Sequence, residues 1–356
     1  MVRVIGFDIG GANTKAAFAT TNNGVVDSLE VASVYFPVWK YSEKLSTVLK
    51  RLRKKVSGSS NLDLVVLTIT AELSDSFNTK RNGVDYIIMQ AKNAFPDIRM
   101  LILDVDSRLR TVEEARAEPL KVAASNWAAT GWLISHFKQN CIVIDVGSTT
   151  TSIIPILNGT VVAEGKTDLE KLICGELVYT GSLRTNVAAI VNAVPVRGCF
   201  SRVSSELFAQ SADVHLMLGN ISESDYTVET ADGKAKTRQA ALARLARIVC
   251  ADTEMLNDQE IVQMAQYVYE KQVENITSGF KQVCNRLQRK PKDVVTVVTG
   301  LGRNFLARKA ALQADCVEVV DFGELVGNDV ASVSTAFAVA LLGASYIEGR
   351  FLSWMG

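Results

Sequence analysis

Residues 5–18, IGFDIGGANTKAAF, set one acid, Asp8, in an apolar run and follow it with Gly10, Gly11, Ala12, Asn13, Thr14 and Lys15. Residues 142–155, IVIDVGSTTTSIIP, repeat the arrangement 137 positions later, with Asp145 for Asp8, Gly147 for Gly10 and Thr151 for Thr14. A glycine-rich turn after a strand lets bare N–H groups approach phosphate oxygens. The donors at hand are the amides of Gly10, Gly11, Ala12, Asn13 and Thr14 and of Gly147, Ser148, Thr149 and Thr150, the hydroxyls of Thr14, Ser148 and Thr149, and Lys15. Two carboxylates beside a phosphate repel it unless a divalent cation intervenes. Mg²⁺, which takes one or two carboxylates plus phosphate oxygens and water, is the expected cofactor, with Asp8 and Asp145 as its ligands. Either stretch alone reads as an ordinary hairpin with a capping acid, but both copies carry the acid.

Other residues join this set. Glu72 and Asp75 lie in TAELSD, just after the apolar run LVVLTIT, where a strand end opens toward a cleft. The alternative for Glu72 is a turn cap or a pair with Lys80 or Arg81. Arg184 and Thr185, in GSLRTN, suit a phosphate or a carboxylate, since the Arg fork matches either. Gly300, in VTGLGRNF, reads as a phosphate- or nucleotide-facing turn, although Phe305 stands where a dinucleotide fingerprint needs its third glycine. His215, Trp127 and Trp132 read as packed side chains.

The elements that must position these groups follow from pattern. After the first glycines the chain continues as TKAAFAT, turns at TNNG and resumes as VVDSLEVASVYF, a β-meander. A P-loop would enter a helix at once, so the cradle is a hairpin. Leu45, Val48, Leu49, Leu52 and Val56 recur at helical spacing. Residues 62–70 and 98–106 read as buried strands and 84–95 as a helix, and Pro119 opens one long apolar helix to about Phe137. NGTVVAEG, 158–165, supplies another turn and strand after the second hairpin. Residues 292–302, 303–314, 316–323 and 328–349 read as strand, helix, strand and helix. The division drawn is a first half at 1–137, a second half from 138–165 and 291–356, and a mainly helical inserted lobe at 166–290. If a pseudo-twofold axis relates the halves, Asp8 and Asp145 face each other.

Composition narrows the partners. The 356 residues carry 38 basic and 38 acidic side chains, which gives no support for a nucleic-acid binder. The basic run KRLRKK, 50–55, reads as a solvated helix face. No apolar stretch has the length to span a bilayer, and MVRVIGFDIG reads as a strand and not a signal peptide. Six scattered cysteines without a C-x-x-C pair read as reduced core thiols. The expectation is a soluble, cytoplasmic protein acting on small molecules, without nucleic-acid or membrane partners. A homodimer is left open.

The paired hairpins, the TGLG turn and the late insert resemble the actin, sugar kinase and Hsp70 superfamily. That resemblance implies an α/β fold of two duplicated ribonuclease-H-like domains clamping phosphates and a metal. DIGGANTKAA, TITAELSDSF, NWAATGWL, IDVGSTTTSIIPI and ELVYTGSLRTNV together resemble the hydantoinase A/oxoprolinase-like family of tetrahydromethanopterin-linked one-carbon metabolism. The resemblance implies an ether-forming step of methanofuran biosynthesis. There an aminomethylfuran methyl diphosphate is joined to the phenol of γ-glutamyltyramine and diphosphate leaves. Such a transferase needs donors for the leaving group, among them Lys15, and a base for the phenol, for which Glu72 is the first candidate and Asp75 the second. ATP is not required by this reading. The alternative is an ATP-dependent small-molecule kinase or ATPase of the actin-like superfamily, with TGLG at the adenosine and Asp8 or Asp145 as base. A nucleotide-binding switch read by a partner is the third option.

Overall fold

The structure is a computed structural model that describes residues 1–350 and 352. Strands β1 (Val2–Gly10), β2 (Asn13–Asn22) and β3 (Val25–Tyr35) form the expected meander. β4 (Leu64–Thr70), β5 (Met100–Leu103) and β6 (Leu109–Arg110) complete a sheet of order β3-β2-β1-β4-β5-β6. β1 lies parallel to β4, and both are buried almost throughout, which their continuous apolar runs anticipate. Ile5, Phe7 and Ile9 join one core with the Leu45–Ser57 and Lys80–Ala94 helices. On the opposite face, Gly6 lies under the backbone of Ala336 and Ala340, and Gly343 lies over Val4, Leu64 and Val66.

The second hairpin is β7 (Cys141–Val146) and β8 (Thr151–Leu157), and β9 (Thr160–Val161) and β10 (Leu177–Val178) both pair with β8. With β13 (Thr296–Gly300) and β14 (Val319–Asp321) the sheet order is β10-β8-β7-β13-β14. β7 is parallel to β13 as β1 is to β4. Each sheet therefore has the order third-second-first-fourth-fifth, the ribonuclease-H-like pattern. The fold is the duplicated α/β architecture of the actin, sugar kinase and Hsp70 superfamily.

Two compact units emerge: residues 1–140, 154–170 and 322–356, and residues 141–153 with 171–321. These bounds differ from the halves drawn from sequence. The C-terminal Ser334–Glu348 helix belongs to the first unit, because its small residues pack on β1 and β4. The insert is mainly helical, led by Arg238–Arg247 and the 29-residue Asp258–Arg286 helix. It also holds a β-hairpin of β11 (Ala193–Val196) and β12 (Cys199–Arg202).

Four sequence expectations need correction. The helix opened by Pro119 is two helices, Pro119–Val122 and Asn126–Ser135. Ala123 bridges to Ile69 and Ala124 adopts φ +51°, so the helix cannot run through them. The 328–349 helix breaks at Val333 into Asn328–Ser332 and Ser334–Glu348. The third strand of the second sheet is split between β9 and β10, with the Asp168–Cys174 helix between them. Of the six cysteines, only Cys141, Cys284 and Cys316 are core, and Cys199 and Cys250 are exposed. Among the described residues no helix is long and apolar enough to cross a membrane.

Candidate functional site

In the first unit, β1 and β2 pair with Asp8 opposite Lys15 and Ile9 opposite Thr14. Opposed residues share a face and successive ones alternate. Asp8 and Lys15 therefore share one face. Thr14 lies on the other, with Ile9 and Phe7, and its buried hydroxyl has no hydrogen-bond partner. The Thr14 hydroxyl is thus not among the donors beside Asp8. Asp8 is 6% exposed, and Lys15 Nζ stands 3.8 Å from its Oδ2. Burial pushes Asp8 above the usual carboxylate range, and Lys15 only partly offsets it. A divalent cation would relieve that penalty, so the residue fits one. Among the described residues no group of three or more His, Cys, Asp or Glu side chains is placed to hold a metal ion. The ion that suits such a setting is one that draws its other ligands from phosphate and water, as Mg²⁺ does.

The two turns are built alike. Gly10 abuts the carbonyl of Asn13, and Gly147 abuts that of Thr150, the matching position. In the first turn, Gly11 O accepts from Val38 N at 2.9 Å and Ala12 O from Phe36 N at 2.8 Å. In the second, Gly147 O accepts from Ser182 N and Ser182 Oγ, both at 2.9 Å. Ser148 O accepts from Leu183 N and Arg184 N at 3.0 Å. Each turn is clamped by the chain that follows its sheet's third strand. In a trans peptide the carbonyl and the next N–H point oppositely. The amides of Ala12 and Asn13, and of Ser148 and Thr149, therefore aim away from the clamps, as an anion cradle requires.

The second turn gains a cation. Arg184 Nη1 donates to Thr149 Oγ1 at 3.2 Å, which puts the guanidinium on the turn. Thr185 serves differently from the expectation: its Oγ1 accepts from Gly181 N at 2.9 Å and holds the loop instead of facing outward. Asp145, at the end of β7, lies beside Thr299 of β13, and Gly300 lies beside Val146. Gly300 has φ +86°, and a Cβ there would sit 2.5 Å from Asp145 Oδ1 and overlap Val146 O. Glycine is required here on both counts. TGLG thus fixes the setting of Asp145.

Glu72 follows β4 and is 1% exposed. Its burial has a local cause. Gly83, in the first turns of the Lys80–Ala94 helix, packs directly on the Glu72 backbone, where a Cβ would overlap Glu72 O and lie 2.6 Å from its Cα. Thr79 caps that helix by accepting from Asn82 N, and so fixes the helix over Glu72. Lys80 Nζ sits 3.4 Å from Glu72 Oε1 and 2.6 Å from Asp168 Oδ2. Glu72 Oε2 is buried and has no hydrogen-bond partner. Burial pushes Glu72 up to about 7, against the pull of Lys80. Burial alone would lower Lys80, but the Asp168 hydrogen bond and the Glu72 charge outweigh it and hold Lys80 above its ordinary value. Asp75 is exposed, and Arg81 donates to Arg116 O. The pairing read as an alternative for Glu72 is therefore real, and it leaves the buried Oε2 without a partner.

Sequence reasoning missed Asp168 and the clamping segments. Asp168 lies 88 residues beyond Lys80, and no spacing rule links them. The Ser182 clamp had one visible sign, the glycine of GSLRTN: a Cβ on Gly181 would lie 2.6 Å from the Thr149 backbone. His215 is packed as expected, fully buried and bonded to Gln272.

A family model described as hydantoinase/oxoprolinase matches residues 63–344. The (4-{4-[2-(γ-L-glutamylamino)ethyl]phenoxymethyl}furan-2-yl)methanamine synthase of Methanocaldococcus jannaschii is 41% identical over 96% of this chain and 97% of its own length. The synthase of the same name from Methanococcus vannielii is 35% identical over 58% of this chain and 92% of its own length. Among solved structures, a nucleotide-free acetone carboxylase aligns with TM-score 0.58 at 9% identity, over 96% of this chain and 70% of that one. That likeness speaks to fold alone. The chain belongs to the hydantoinase/oxoprolinase family.

Proposed function

We propose that this chain is a transferase that forms the phenoxymethyl ether of the methanofuran core. It joins (5-aminomethyl-furan-3-yl)methyl diphosphate to γ-glutamyltyramine. The observation that carries the reading is the 41% identity to the M. jannaschii synthase over nearly the full length of both chains. The furylmethyl C–O bond to diphosphate breaks, a C–O bond to the phenol oxygen forms, and the phenol proton passes to Glu72.

The residues suit those demands. A phenol has a pKa of roughly 10, and an ordinary Glu is a poor match for it. Raising Glu72 from 4.5 to about 7 narrows the mismatch and makes it a better base. Its Oε2, buried and unpartnered, is the atom that takes the proton. Lys80, held by Asp168, steadies the carboxylate while Oε1 stays paired. The Ser148 and Thr149 amides and Arg184 are donors for the leaving diphosphate, and Lys15 adds charge in the first unit. Loss of one such preorganised donor costs about 2.7–4 kcal/mol of transition-state stabilisation. Mg²⁺, with Asp8 in the first unit or Asp145 in the second as its candidate protein ligand, would neutralise charge on the diphosphate oxygens.

The test is to incubate the protein with both organic substrates and Mg²⁺ in the absence of ATP. Ether and diphosphate should appear in equal amounts, the ether detected by mass. An absolute need for ATP, or a phosphorylated product in place of the ether, would overturn the proposal in favour of a kinase.

A further inference from the structure

We infer that Gln272, on the inserted Asp258–Arg286 helix, is a positioning residue for the second anion-binding turn and is itself oriented by His215. The inference rests on the anion-binding role given above to the Ser148–Thr149 turn.

Gln272 is fully buried. Its Nε2 donates to Gly181 O and to Thr180 Oγ1, each at 2.8 Å. Because Gly181 O can only accept, that end of the amide is the NH₂ group. Oε1 therefore needs a donor, and His215 Nε2, at 3.0 Å, is the group that meets it. His215 must carry its proton on Nε2, which leaves Nδ1 to accept from Asn220 Nδ2 at 3.2 Å. Burial agrees with this, since it pushes the imidazole down to about 3 and keeps it neutral.

The chain of bonds runs on to the turn. Thr180 and Thr185 hydroxyls meet at 3.2 Å, and Thr185 Oγ1 accepts from Gly181 N at 2.9 Å. Gly181 packs on the Ser148 and Thr149 backbone. The next residues, Ser182 to Arg184, supply the four bonds that fix the Gly147 and Ser148 carbonyls. Arg184 then reaches Thr149. The loop has no long strand to hold it, because β10 ends after two residues. Backbone bonds join it to the turn and to Ser211 and Ala212, and Gln272 ties it to the long helix.

The chain has two histidines, His136 and His215, so ¹⁵N spectra of a histidine-labelled sample resolve the tautomer. His215 should show a protonated Nε2 and a bare Nδ1, and its signals should shift when inorganic diphosphate and Mg²⁺ are added. In Gln272→Met, which keeps the volume and loses the bonds, the dissociation constant for diphosphate should rise at least about tenfold. The KM for the diphosphate substrate should rise with it, while the KM for the phenol stays within about twofold. Wild-type binding of diphosphate with unchanged affinity in folded Gln272→Met would overturn the inference alone. An Nδ1–H tautomer in the wild type would do the same without recourse to a variant. Absence of diphosphate binding in the wild type would remove the anion-binding reading itself.

Discussion

Glu72→Gln should stabilise the protein while stopping its chemistry. Glu72 is almost wholly buried, and its carboxyl is raised from 4.5 to about 7. Between those two values the unfolded chain has released the proton and the folded chain still holds it. Folding stability therefore falls as pH rises through this window, and the penalty is complete above about 7. A rise of about 2.5 units corresponds to roughly 3 kcal/mol. Lys80 already opposes the rise, so that figure is net of the ion pair. Gln keeps the shape and carries no charge at any pH. The variant should match the wild type near pH 4.5 and exceed it by about 2–3 kcal/mol at pH 8, a gain of several degrees in Tm. Ether formation should drop by about 10²–10⁴-fold, the usual worth of a general base. Thermal melts at pH 5, 6, 7 and 8, paired with turnover assays, make the comparison. A stability difference that does not change with pH would refute the burial argument, and near-normal turnover would refute the role as base.

Four further outcomes follow from the same geometry. Gly83→Ala should destabilise the first unit by about 1–3 kcal/mol and displace Glu72, since the added methyl meets its backbone; an unchanged melt would refute that packing. Arg184→Ala should raise the KM for the diphosphate substrate without altering the KM for the phenol, and equal effects on both would place the guanidinium elsewhere. Asp8→Asn should cripple turnover and raise the Mg²⁺ concentration it needs, read by titrating the metal, while circular dichroism stays native; near-normal activity would remove Asp8 from the metal site. Lys15→Ala should raise the KM for the diphosphate substrate, lower kcat, or both; unchanged kinetics would make it a surface residue.

Both hairpins were legible because an apolar strand, an acid and a glycine are local signals, and their recurrence marks a duplication. The TGLG strand was legible for the same reason. The clamps were not, because Val38 and, but for its hydroxyl, Ser182 meet their turns through backbone groups that any residue type supplies. The character of Glu72 was hidden too. A glycine eleven positions on buries it, and Lys80 is held by Asp168 from a helix that interrupts the third strand. Thr14 misled because its type suits a ligand, while the strand register turns it into the core. Pro119 misled because helical periodicity continues through Ala123 and Ala124, and only the bridge to Ile69 and a positive φ reveal the break.

The occupied carbonyls of the second turn also determine its electrical sense. A glycine–serine peptide can rotate as a plate and exchange its N–H for its C=O, turning a trap for negative ions into one for positive ions. Here the Gly147–Ser148 plate cannot rotate without breaking both bonds from Ser182, at about 0.5–1.5 kcal/mol each. An anion bound there as proposed would meet a polarity set before it arrives, with no reorientation of the backbone left to do.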